Sequence, residues 1–312
     1  MTGSLLDKSL VYVTGKGGVG KTTVAAAIGL AGAARGRRTI VCEVAHQDRV
    51  SRAFAREGVR EEVEVQLERD LWAITIDPEA ALREWLAGQI GGAPVRLLAR
   101  SHAFQYFVAA APGAKELVTI GKVWELAQPQ RWDRHNTRLF DLVVVDAPAS
   151  GHGLAMLTTP HTFGEIARVG PIRRQALKIR DMLADPARTG YVAVALPEEM
   201  PVNETLELEE RLGPAVGAGL DAIVVNALYP DRFSRAEAEQ LRVAERNGHR
   251  PGASAALRAA LSEHARARAQ RAHLRRLRRE AHAPVLTLPF LFEPTVGLDE
   301  WRRLARELER KL

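Results

Sequence analysis

The sequence predicts an α/β chain: a doubly wound, mostly parallel sheet of about seven or eight strands, with helices on both faces and a helical insert. Three observations carry this. Short apolar runs rich in β-formers recur at residues 10–13, 39–44, 71–76, 142–145, 191–195, 222–225 and 285–288, and continuous runs of that length suit strands covered on both sides. The stretches between them are mostly long enough to hold a helix, which a parallel connection requires. The gap between Ile76 and Leu142 holds more helical sequence than one crossover needs, so it reads as an elaboration on the sheet.

The first run leads into Gly15-Lys16-Gly17-Gly18-Val19-Gly20-Lys21-Thr22, and an Ala-rich stretch, 23–34, follows. This is strand, glycine turn and helix in succession, with the G-x4-G-K-[ST] spacing of a phosphate-binding loop. Glycines there let backbone N–H groups face the phosphates, a lysine neutralises the β/γ charge and a hydroxyl ligates Mg²⁺. The nucleotide-binding set is therefore Gly15, Gly17, Gly18, Val19, Gly20, Lys21, Thr22 and Thr23, with Thr22 also a metal ligand.

Further along, the insert carries helical candidates at 79–89, 95–109 and 115–127. Leu97, Phe104, Phe107, Val108 and Ala111 share one face, and Leu117, Ile120 and Trp124 share another. Such stripes suit core packing, with a client-binding groove as the alternative. The run 142–145 ends in Asp146, placed where a nucleotidase holds Mg²⁺ through a water. Gly151 and Gly153 after it read as a loop responsive to a γ-phosphate. Breaks are expected at Pro160, Pro171, Pro186 and Pro251-Gly252. With no internal repeat and one phosphate loop, residues 1–312 read as a single domain whose helical subdomain comes from about 78–135 and 155–190.

Bulk properties narrow the classes. At 312 residues and 46% apolar content the chain can bury a two-sided sheet, and disorder is excluded. A single cysteine, Cys42, rules out a disulfide framework and any Cys-built zinc or iron–sulfur site within one chain, and suits a cytoplasmic location. Residues 1–9 lack the apolar core of a signal peptide, and charges interrupt every apolar run before it reaches membrane-spanning length. The net charge is +6, with arginines concentrated at 266–279. No aromatic residues interleave there to stack bases, so this reads as a solvated helix and nucleic acid is an unlikely partner.

Lys16 leaves the loop on its outer side, away from the phosphates of its own subunit. A lysine there suits action in trans, stabilising charge on a neighbour's nucleotide across a dimer. The run from Lys16 to Thr22 resembles the deviant phosphate loop of the dimeric P-loop ATPases that include ArsA, the ParA/MinD group and nitrogenase iron protein, and the chain looks most like the ArsA branch. Asp146 through Gly151-His152 resembles that branch's second switch, Leu196-Pro197-Glu198 with Glu204-Thr205 its P-E…E-T segment, and Pro289 through Gly297-Leu298 its C-terminal segment. The resemblance implies a Mg²⁺-dependent ATPase using ATP/ADP, with adenine held by Asn226, Pro289 and Phe290, and Glu198 near the nucleotide at a dimer interface.

One motif departs from the family pattern. The first switch reads Glu43-Val44-Ala45-His46-Gln47 where the family has D-P-A-H, so the carboxylate orienting the attacking water would be Glu43. One extra methylene there implies slow hydrolysis, since misplacement by about 1 Å costs on the order of 10²-fold. Alternatively Glu43 is structural. Arsenite handling needs clustered thiols and is disfavoured by one cysteine. Capture of tail-anchored proteins, with a Met-rich groove and a Cys-x-x-Cys clasp, is disfavoured by four scattered methionines and the missing clasp. The expected partners are a second copy or a paralogue, an unidentified protein client, and a membrane only through a partner. A non-hydrolysing subunit paired with an active paralogue and a ParA/MinD-like surface ATPase are the alternatives.

Overall fold

The computed structural model describes residues 4–44, 49–54, 63–90, 113–128, 140–167, 169–247, 251–293 and 295–312. Its strands are β1 (Leu10–Gly15), β2 (Thr39–Val44), β3 (Val65–Glu68), β4 (Leu71–Ile76), β5 (Leu142–Asp146), β6 (Thr189–Ala195), β7 (Ala222–Leu228) and β8 (Val285–Pro289). They form one sheet in the order β3-β4-β2-β5-β1-β6-β7-β8. Every neighbouring pair is parallel except β3 with β4. All seven apolar runs become strands. The eighth, β3, is a four-residue edge strand.

Alternation along each strand sends side chains to two separate cores. Val11 and Val13 of β1, Val144 of β5 and Val194 of β6 pack on one face. Against them lie α1 (Lys21–Ala34) and α10 (Leu298–Glu309), the latter through Trp301, Leu304 and Leu308. Leu10 and Tyr12, Val143 and Val145, and Ile40 and Cys42 point the other way. That face is covered by α4 (Ala114–Leu126), α5 (Ser150–Ile166), α6 (Pro171–Ala184) and α7 (Glu199–Val216). α3 (Pro78–Ile90) packs on α4. Beyond β7, α8 (Arg235–Arg246) and the long α9 (Pro251–Glu280) form a pair, with Leu274 and Leu277 reaching Ile223 and Val225.

Helical expectations at 79–89 and 115–127 correspond to α3 and α4, while 95–109, with Leu97, Phe104, Phe107, Val108 and Ala111, lies outside the described residues. Ile120 and Trp124 are core residues, and Leu117 packs beside them. Two local expectations are corrected. Gly151 and Gly153 lie in the first turn of α5 rather than in a loop, where the Tyr12 hydroxyl donates to Gly153 O at 3.0 Å. Pro160 sits inside α5 without breaking it. Among the described residues no helix is long and apolar enough to cross a membrane.

Candidate nucleotide site

Where β1 leaves the centre of the sheet the backbone turns sharply at Gly15, whose φ is +146°. A Cβ there would lie 2.2 Å from Val194 O on β6, so only glycine fits. Gly20 has φ +92°, and its Cβ would meet Asn226 Nδ2 at 2.3 Å. Val19 is buried into the core beside α1 and anchors the turn. α1 then begins at Lys21 with no side chain capping its first turn, which leaves those amides for an anion.

Lys21 reaches back across the loop and donates to Lys16 O at 3.0 Å. Burial lowers its pKa; Asp146 opposes that shift and Arg49 adds to it. The Thr22 hydroxyl donates to Asp146 Oδ2 at 2.6 Å. Burial raises the pKa of Asp146, against the opposing effects of the Thr22 hydrogen bond and the Lys21 and Arg49 charges. A hydroxyl and a carboxylate in contact are the hard oxygen donors that Mg²⁺ prefers, so these residues fit that ion. Thr23 is half-buried one residue further along α1.

Lys16 ends in an ion pair with Glu204 Oε1 of α7 at 2.5 Å. Both side chains are about a third exposed, so the pair contributes roughly 0–1 kcal/mol. Glu43 lies opposite Asp146 in the β2–β5 register and is fully buried. Both its carboxylate oxygens accept from Val50 N, at 3.1 and 3.2 Å, in the short α2 (Arg49–Ala53). The rest of the first switch, Ala45 to Asp48, lies outside the described residues.

On the other side of β1, Asn226 of β7 donates through Nδ2 to Val19 O at 3.0 Å and accepts from Ala227 N at 2.9 Å. Pro289 pairs with Leu228 across β7 and β8, and Phe290 N donates to Leu228 O at 2.9 Å. Glu198 stands exposed at the start of α7 and lines a cleft of about 440 Å³ together with Phe290. Two groups result, Lys16, Lys21, Thr22, Asp146 and Glu43 around the loop, and Glu198 and Phe290 around the cleft, with Pro289 beside Phe290 at the end of β8. Asn226 joins them.

Sequence reasoning missed Tyr229 and Gln270. Tyr229 stacks on Phe290 with ring centroids 4.4 Å apart and planes 16° from parallel. Gln270 holds that turn by accepting from Tyr229 N at 2.8 Å and donating to Ala227 O at 3.2 Å. The available signal was helical spacing: positions 266, 270 and 273 fall on one face of α9, and all three line the cleft.

The family of anion-transporting ATPases, ArsA ATPases, matches residues 8–176. The chain is similar to ATPase BagA of Mycobacterium tuberculosis, 32% identical over 226 residues, 71% of this chain and 65% of that protein. It is 24% identical to ATPase GET3C of Arabidopsis thaliana over 280 residues, 74% of this chain and 70% of that one. A putative arsenical pump-driving ATPase of Halobacterium salinarum is 23% identical over 307 residues, 96% of this chain and 44% of the relative. The chain thus spans just under two thirds of the mycobacterial protein's length. With a phosphate loop at the end of β1, a carboxylate at the end of β5 and a family match over more than half its length, the chain belongs to the ArsA family of anion-transporting ATPases.

Proposed function

We propose that this protein is a Mg²⁺-dependent ATPase whose nucleotide state opens and closes a dimer, with a second copy or a paralogue, and so controls a protein client. The observation that carries the reading is the meeting of Lys21, Thr22 and Asp146 beneath the uncapped N-terminus of α1. In this reading the loop amides and Lys21 hold the triphosphate, and Asn226, Pro289 and Phe290 hold adenine. Thr22 and Asp146 would hold Mg²⁺, which when bound neutralises charge on the phosphate oxygens. Lys16 acts on the partner's nucleotide after leaving Glu204. Residues 1–312 work as one P-loop ATPase domain, whose helical subdomain includes α3, α4, α5 and α6. The protein is cytoplasmic and meets a membrane only through a partner.

Glu43 is the proposed residue for orienting the attacking water. Its engagement with Val50 N supports slow turnover, because the carboxylate must give up that contact to reach water. The same contact favours a second reading, a non-hydrolysing subunit paired with an active paralogue. ATP turnover by the isolated protein separates the two. Lys21→Ala and Lys16→Ala are each expected to lower the rate by about 10²-fold or more, and unchanged rates in both would refute the ATPase reading.

A further inference from the structure

A groove between α8 and α9 shares no lining residue with the phosphate loop. It has a volume of about 660 Å³ and is lined by Arg235 and Arg242 of α8, Arg268, Arg271 and Arg275 of α9, and His264. Asp231 is the one carboxylate in its lining, and it already pairs with Arg271 at 3.3 Å. Arg242 pairs with Glu239 at 2.9 Å, whereas Arg235, Arg268 and Arg275 have no carboxylate partner among the described residues. Gathering like charges in a concavity is unfavourable unless an anion enters it.

His264 supplies an independent sign. It is 5% exposed, and among the described residues neither ring nitrogen has a hydrogen-bond partner. Buried polar atoms are almost always satisfied, so an orphaned imidazole in the wall of a cavity is an exception that calls for a reason. The arginine spacing is also ordered: Arg235 and Arg242, like Arg268 and Arg275, are seven residues apart, two turns along one helix face, or about 10 Å.

We infer that this groove binds a small ligand carrying more than one phosphate group, held by Arg235, Arg268 and Arg275 with His264 in the wall. Guanidinium forks match phosphate oxygens two at a time. The volume lies in the range of small-molecule pockets, about 300–1,000 Å³. A concavity of this size suits a small ligand better than a flat membrane surface or a broad macromolecular face. The opposite face of α9 lines the cleft beside Phe290 through Gln270 and His273, and Ala269 borders both cavities. One helix is therefore the shared wall of the two cavities.

Inorganic pyrophosphate is the probe, read by titration calorimetry on the wild type, Lys21→Ala, and Arg268→Ala/Arg275→Ala, with circular dichroism as the fold check. Two binding events are expected in the wild type, one lost in Lys21→Ala and one surviving there. The surviving event should weaken at least tenfold in the arginine variant, with Arg268→Lys/Arg275→Lys intermediate. A single event that disappears in Lys21→Ala, or a second event equally strong without the two arginines, overturns the proposal. So does arginine-dependent binding to phosphatidylglycerol vesicles or to a single-stranded RNA in the absence of a pyrophosphate event. Failure of the phosphate loop to bind would remove only the first event, and so is read separately.

Discussion

Gly20 meets two requirements at once, a left-handed backbone and room for the Asn226 amide. Gly20→Ala is expected to weaken ADP binding at least tenfold, measured with a fluorescent nucleotide. Asn226→Ala in that background should cost less than in the wild type, because the Cβ has already displaced the amide. Asp146 behaves differently. Its folded-state pKa is raised, so the native chain protonates it at higher pH than the unfolded chain does, and this group adds stability as pH falls rather than as it rises. Asp146→Asn removes the buried charge and should raise the stability of the nucleotide-free protein by about 1 kcal/mol while abolishing Mg²⁺-dependent binding. Thermal melts with and without Mg²⁺-ATP check both halves. The loop residues were legible in the sequence because phosphate chemistry demands them at fixed spacing. The Asn226–Val19 bond was not, since it joins positions 207 apart and depends on the order in which strands assemble.

Among the elements, strands β1 and β5 were readable as apolar runs because both their faces are covered. β3 was not: Val65-Gln66-Leu67-Glu68 buries only Leu67, and nothing local separates so short an edge strand from a loop. Pro160 misleads for another reason. It lies inside α5, and tertiary packing of that helix outweighs the lost backbone donor. In the helical layer, Lys122 of α4 is 8% exposed and pairs with Glu84 of α3 at 2.7 Å and with Glu125 at 2.9 Å. Burial alone would lower its pKa, but the two carboxylates outweigh that and raise it. A raised lysine contributes stability fully below the unfolded pKa, about 10.5, and loses it as pH climbs through the folded value. Lys122→Met takes this cation away from buried Glu125 and from Glu84 and should lower stability near neutrality. That gap should narrow above about pH 10.5, which melts from pH 8 to 11.5 would show by comparing the two proteins directly.

At the scale of the whole molecule, the Lys16–Glu204 pair ties the phosphate loop to α7 within one chain. If Lys16 serves a partner's nucleotide, Glu204→Ala frees it. Self-association in Mg²⁺-ATP should then tighten severalfold by sedimentation velocity, with no change in its absence. Lys16→Ala should keep ADP binding but lose the nucleotide-dependent dimer. The resemblance placed Glu198 near the nucleotide, but the Lys16–Glu204 contact was invisible in the sequence, because a Lys and a Glu 188 positions apart carry no local sign of each other.

Cys42 has no solvent exposure in the middle of β2, and burial pushes its thiol pKa upward. As the sole sulfhydryl in the sequence it will stay inert toward maleimides and methanethiosulfonates while the fold holds. A cysteine introduced at exposed Glu198 would carry a spin label or fluorophore alone, with no background to subtract. If the chain dimerises as proposed, paired labels on two chains would then give the subunit separation in each nucleotide state as a distance distribution, recorded on an otherwise natural sequence.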